Sequence, residues 1–401
     1  MTTAATANPS VTLQGIQIPK SSVDPKTFQA LTRRQNLQTK TLSSFAGWGL
    51  VDTIPILQTG IVTYLDVRIV GTLAVALNSG TCASTWRWPY GIVQALRFTA
   101  NGQSNLINAS GWFLKAFSFA SRVPGDDRGV ANGCGGASPG TSTNQGTFAL
   151  ASESWGVGQG VTAIGAGSYN VELSIAVPVA YDQVSLMGAI FAQTTSSALQ
   201  LQIAWEALAN LFTLTGAATV TWSSGPSVIV EGTAYTIPSY NGGIVVPNLS
   251  VFHSLTENTI NPTVSNGLQE VTLAGQGVGR QLMRAAFQVR NNGATTAVPI
   301  AQNVANYGLN YWRYGGNTTP ETYTDGQRLR EWNERLYNTD MGGVQGFGFY
   351  DFSSLWAPRD SIDEGSVTAL RIGFTVNNSV TLTSPIGRYA VQELVAGGQA
   401  A

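Results

Sequence analysis

The chain has 401 residues, of which 11% are charged, 43% are hydrophobic and 45 are glycine, and its net charge is −1. That length predicts two or three domains, and so apolar a composition excludes disorder, because enough surface is buried to offset the ordering entropy. No run of about 18 apolar residues occurs and Met1 to Ser10 lack the basic-then-apolar order of a secretory signal, so a soluble, folded, unexported chain is expected.

A near-neutral chain has no general attraction for nucleic acid, so no sequence-specific nucleic-acid partner is expected. Of the 21 basic residues, 17 are arginine. Two readings of that bias stand open: arginine suits interfaces, because its flat fork pairs bidentately and dehydrates readily, and a GC-rich genome favours its codons. Cys82, Cys134 and the lone His253 cannot build a four-ligand zinc site without carboxylates. A Cys82–Cys134 bridge and two free thiols in a reducing compartment both stand open, the thiols being favoured, and no cofactor or metal is expected.

Residues 1–44 read as an N-terminal arm. Asp24-Pro25 looks like an N-cap followed by proline at the first helical position. Lys20, Lys26, Arg33, Arg34 and Lys40 against Asp24 give the arm a charge of +4, leaving −5 for the rest. A basic amphipathic helix with Phe28 and Leu31 as shallow anchors would suit an anionic lipid surface; nucleic-acid binding would call for a denser arginine run, and a plain solvated helix needs no partner at all.

From residue 60 the hydrophobic period becomes two. Ile61, Leu65, Val67 and Ile69 alternate with Tyr64, Asp66 and Arg68, and Val171 to Val179 do the same. Leu199 to Trp205 and Leu370 to Val376 repeat the pattern. Such alternation marks half-buried antiparallel strands. Helical signal is sparse beyond the arm. It is clearest at Asp325–Tyr337, where Leu329, Trp332 and Leu336 share a face and Thr324 with Gln327 suits a capping box.

The two halves overlay. Leu65-Asp66-Val67-Arg68 matches Phe287-Gln288-Val289-Arg290. Ser110-Gly111 with Leu114-Lys115 and Phe117 matches Asp325-Gly326 with Leu329-Arg330 and Trp332. Ala198-Leu199 matches Ala369-Leu370. The first half carries 44 extra residues between the last two landmarks, where Gly129 to Ser168 is rich in Gly, Ser and Thr. Colinear order with an insertion predicts a duplication. The expected organisation is a first sandwich at 45–232 with the insertion 129–168, a linker at 233–264, and a second sandwich at 265–401.

Catalytic signals are weak. Gly275-Gln276-Gly277-Val278-Gly279 and Gly156-Val157-Gly158-Gln159-Gly160 lack the strand-turn-helix context of a nucleotide loop. His253 has Ser254 and Glu257 nearby but no nucleophile elbow, and a packed or solvated histidine is expected. Asp126-Asp127 and the group Asp360, Asp363 and Glu364 could suit a glycosidase pair. Arg128 and Arg359 beside them favour salt bridges. The ten tryptophans are scattered, and core packing accounts for several of them.

These residues resemble a known family, the double jelly-roll major capsid proteins of tailless icosahedral double-stranded DNA viruses, nearest the tectivirus-like phages with an internal membrane. The likeness covers nearly the whole chain. It rests on the arm, the paired sandwiches, Gln327-Arg328-Leu329-Arg330-Glu331-Trp332-Asn333, Phe349-Tyr350-Asp351-Phe352 with Pro358 to Asp363, and Arg388-Tyr389-Ala390-Val391-Gln392-Glu393. It implies an all-β fold of two tandem jelly rolls with a short N-terminal helix and few loop helices. It also implies a pseudo-hexagonal homotrimer in a virion shell, assembled in the host cytoplasm beside penton and minor capsid proteins. Loops such as 129–168 would form outward towers, and the arm residues Lys20, Lys26, Phe28, Leu31, Arg33, Arg34 and Lys40 would face an internal membrane. No catalytic residue is implied. A β-sandwich glycoside hydrolase using Asp360 and Asp363, and a host-recognition spike, are the rival expectations.

Overall fold

The computed structural model describes most of residues 10–120 and 162–396; the longer stretches outside that description are 121–161, 194–198, 274–278, 292–297, 301–306, 323–327, 336–347, 354–360 and 364–369. Eight main strands form the first half: β1 (Arg34–Leu42), β2 (Val51–Pro55), β3 (Ile61–Ala76), β4 (Val93–Ala100), β5 (Gln103–Ala109), β6 (Gly167–Val177), β7 (Gln200–Trp205) and β8 (Thr219–Tyr235). Eight more form the second: β9 (Val251–Ile260), β10 (Gly267–Thr272), β11 (Arg280–Asn291), β12 (Tyr307–Tyr314), β13 (Thr318–Thr322), β14 (Gly348–Asp351), β15 (Arg371–Val376) and β16 (Ile386–Ala396).

In the first half, one sheet runs β1-β8-β3-β6 and the other β2-β7-β4-β5. In the second, the sheets run β9-β16-β11-β14 and β10-β15-β12-β13. Each strand of the second half therefore sits where the strand eight earlier sits in the first. Two four-stranded antiparallel sheets wired in this order make a jelly roll. The chain holds two of them.

The alternation seen in the sequence sets the inward faces. Leu65, Val67 and Ile69 of β3 meet Phe98 of β4 and Leu201, Ile203 and Trp205 of β7 in a dry first core, all with no measurable exposure. In the second core, Ala285, Phe287 and Val289 of β11 pack with Trp312, Ile372, Phe374 and Tyr389, and the rings of Phe287 and Phe374 lie 5.2 Å apart. The three sequence landmarks fall on equivalent elements: β3 with β11, β7 with β15, and a helix between the fifth and sixth strands of each roll. In the first roll that helix, α2, spans Gly111–Ala120. In the second, the helical residues include Arg328, Leu329 and Trp332; Leu329 is buried, but Trp332 is 46% exposed rather than packed inward as expected.

Two boundaries differ from expectation. The arm supplies the helix α1 (Pro25–Leu31) and then β1, so the first roll takes its first strand from residues placed in the arm. The β-branched Thr39 and Thr41 favour a strand and a lysine between them suits a sheet edge, and β1 pairs with β8 from Leu42↔Val228 to Arg34↔Tyr235. Likewise the stretch expected as a linker contains β9, which pairs with β16 over its whole length. Phe252, His253, Ser254 and Leu255 are all buried, so both faces of this part of β9 are covered although polar residues interrupt its apolar ones. Residues 10–13 and 16–19 form a short hairpin.

The rolls are fused. β9 lies parallel to β5, with Leu255 opposite Ile107 and Thr256 opposite Asn108. This joins β2-β7-β4-β5 to β9-β16-β11 in one continuous sheet. Leu255, Ala286, Phe349 and Ala390 of the second roll belong to the first roll's core, and Phe117 of α2 meets Phe349 edge-on at 5.6 Å. No helix among the described residues is long and apolar enough to cross a membrane.

Candidate assembly edges and the seam between the rolls

The arm residues divide by position. Asp24 caps α1, its carboxylate accepting from the Thr27 amide at 3.2 Å, with Pro25 at the first helical position. Phe28 is fully buried among Ile61, Leu186, Tyr235 and Leu249, its ring edge-on to Tyr235 at 5.9 Å. That corrects its expected role: a ring held inside the protein is not available to a lipid surface, and it pins α1 to the roll instead. Leu31 is 47% exposed, and Lys26, Arg33 and Arg34 are exposed beside it. Lys40 lies on β1, while Lys20 lies outside the described residues.

Between the rolls lies a seam that sequence reasoning missed. On β11, Ala285, Phe287 and Val289 turn into the second core, so Arg284, Ala286, Gln288 and Arg290 turn toward the first roll. On β16 the same face carries Arg388, Ala390 and Gln392, and on β9 it carries His253, Leu255 and Glu257. In a free sandwich this would be the wet, polar face. Here the other roll covers it, and its polar groups are buried in two networks with apolar residues between.

One network starts at the Pro178 carbonyl, which lies 2.7 Å from Nδ1 of His253. Nε2 of His253 lies 2.8 Å from Nε2 of Gln392. The carbonyl can only accept and the amide nitrogen can only donate, so the imidazole is neutral with its proton on Nδ1. Burial, first of all, and the Arg284 charge push its pKa down to about 4. Arg284 donates from Nε to Asp351 at 3.1 Å, both side chains being essentially unexposed. Its guanidinium also lies 5.0 Å over the Tyr181 ring. Ser353 donates to Asp351 and lies 2.6 Å from the Tyr181 hydroxyl, whose pKa burial pushes up to about 12. Gly188, at φ +82°, passes so close that a Cβ there would stand 2.4 Å from Cβ of His253. Only glycine fits.

The second network surrounds an open cavity of about 340 Å³ lined by residues of both rolls. Arg87 pairs with Glu206 at 2.6 Å. Arg388 donates through Nε to Glu257 at 2.8 Å, and Glu257 accepts from the Ser110 amide at 2.7 Å, at the start of α2. Arg290 stacks on Trp86, 4.7 Å from the ring centre.

The catalytic alternatives find no assembled site among the described residues. His253 is spent on its network, and Glu257 on Arg388 and Ser110. Asp363 is exposed on a short strand beside β11. Asp126, Asp127, Arg128, Arg359, Asp360 and Glu364 lie outside the described residues, as do Cys134 and all of 129–161 in the expected tower. Cys82 is a buried free thiol, and burial raises its pKa. No group of three His, Cys, Asp or Glu among the described residues could hold a metal ion. At the outer edge of the continuous sheet, β2 carries exposed Val51 and is flanked by exposed Leu50 and Leu57.

Solved structures match this architecture over nearly the whole chain. The chain shares its fold with double jelly-roll major capsid proteins. The major capsid protein of STIV, the Sulfolobus turreted icosahedral virus, aligns with a TM-score of 0.61 at 13% identity, covering 92% of this chain and 99% of that one. The PBCV-1 virus capsid gives a TM-score of 0.56 at 12% identity, covering 92% and 95%. The major capsid protein of bacteriophage PM2 gives 0.50 at 10% identity, covering 92% and 100%. No family model and no curated protein matches the sequence. The likeness to these double jelly rolls is one of wiring, kept at identities too low for side chains to be carried across.

Proposed function

We propose that this chain is the major capsid protein of an icosahedral virus and acts by self-assembly. One observation carries the reading: two jelly rolls of identical wiring lie side by side, fused through a single sheet. Two similar bricks per chain give three copies six similar sides, so a homotrimer tiles as a pseudo-hexagon. The solved double jelly rolls of the same architecture are capsid proteins by name, which supports this reading over a hydrolase or a spike. The open β2 edge with Leu50, Val51 and Leu57 suits contact with another copy, because an unpaired apolar edge needs cover.

In this reading the chain resides in the virion after assembly in the host cytoplasm, beside penton and minor capsid proteins. The arm faces the particle interior and, in a bacteriophage with an internal membrane, meets lipid through Lys26, Leu31, Arg33 and Arg34. The deciding experiment is the mass of the purified full chain in solution. Sedimentation at increasing concentration should give a species three times the 42.3 kDa monomer. A chain that stays monomeric throughout would overturn the reading.

A further inference from the structure

The cavity at the seam contains a buried cation without an anion. Arg290 is 8% exposed. Its Nε donates to Gln288 at 2.7 Å, and one face of its guanidinium lies on Trp86. Among the described residues its terminal nitrogens meet no hydrogen-bond acceptor, and no carboxylate lies within ion-pair distance. The two glutamates of the cavity are occupied. Glu206 takes Arg87 on one oxygen and the Ala207 amide with Asn210 on the other. Glu257 takes Arg388 and the Ser110 amide. Three arginines against two glutamates leave the cavity one positive charge in excess.

We propose that this cleft between the rolls binds a small monocarboxylate, held by the two terminal nitrogens of Arg290 with its apolar part against Trp86 and Trp112. A planar carboxylate matches the free end of the guanidinium fork bidentately, and the stacked indole fixes the fork's plane. A cavity of about 340 Å³ takes a ligand of few heavy atoms. A dianion is disfavoured, because Glu206 and Glu257 line the same space and repel the second charge. An ammonium is disfavoured too, since every glutamate oxygen already has a donor. Burial, first of all, and the neighbouring Arg388 charge depress the Arg290 pKa to about 9, with Glu257 and Glu206 opposing the shift from a distance. The proposal does not depend on the shell reading.

The test uses the purified full chain at constant ionic strength, titrated with benzoate, propionate and inorganic phosphate. Tryptophan fluorescence and calorimetry are the two readouts. Benzoate should bind saturably and perturb the fluorescence, with propionate weaker for want of a ring and phosphate weaker still. Arg290→Gln should weaken benzoate by about tenfold or more, and Arg290→Lys, which keeps the charge but loses the fork, should also weaken it. Circular dichroism and the unfolding midpoint confirm that each variant is folded; if Arg290→Gln fails to fold, Arg290→Lys alone decides. Absence of saturable binding, equal binding in the lysine variant, or phosphate binding as tightly as benzoate would overturn the proposal.

Discussion

In water His253 would titrate near pH 6.5, but between the Pro178 carbonyl and the Gln392 amide it stays neutral to about pH 4. The groups facing it are Arg284, Asp182, Tyr181 and Gln392. Because the folded pKa is the lower one, the unfolded chain binds the extra proton between those values. Stability contributed by the neutral ring is therefore complete above pH 6.5 and is lost as pH falls toward 4. A shift of that size is worth about 3 kcal/mol. Urea titrations of wild type and His253→Gln, repeated from pH 7 to pH 4, should show the wild type losing about that much more than the variant. Equal losses would refute the burial of a neutral ring. A packed ring was one of the two readings open at His253, but with the residue in an apparent linker its partners were not legible. Its partners are 75 and 139 residues away and come together only through the fold.

The strands that bury both ends of an alternating run, β3, β6, β7 and β15, were legible because hydrophobic period alone decides which face turns inward. β1 and β9 were not, since an edge strand such as β1 is paired on one side only and β9 carries Ser254, Thr256 and Glu257 among its apolar positions. The charge of the arm was legible, but its shape was not: a seven-residue helix gives way to β1. Removing residues 1–40 would therefore strip α1 and most of the edge strand β1, so charge substitution is the cleaner test of the lipid reading. Lys26→Gln, Arg33→Gln and Arg34→Gln together should weaken binding to anionic phosphatidylglycerol vesicles by about tenfold or more, at roughly 1 kcal/mol per charge, and leave stability within about 0.5 kcal/mol. Phe28→Ala should instead cost about 3 kcal/mol, by emptying a packed pocket. Vesicle binding unchanged by loss of the three charges would remove the lipid role.

At the scale of the molecule, the seam converts two bricks into one. A solitary second roll would expose Leu255, Ala286, Phe349 and Ala390, which now complete the first roll's core. It would also leave the Arg284 and Asp351 network open to water on the side that Tyr181 covers. Small residues at 286 and 390, on a face that alternation would assign to solvent, were the trace of this in the sequence, because alanine there admits close approach of another layer. Weakly joined domains unfold separately, but here unfolding either roll removes a pairing strand and part of a core from the other. The full chain should therefore unfold in guanidinium in one transition, with fluorescence and circular dichroism coincident. Hydrogen exchange should protect β5 and β9 to the same degree. Ala390→Arg, placing a long charged chain in the dry middle of the seam, should split that transition in two or abolish folding. Two separate transitions in the wild type would mean that the rolls are merely tethered, and that their relative placement, on which sixfold tiling by three copies relies, is not set within the chain.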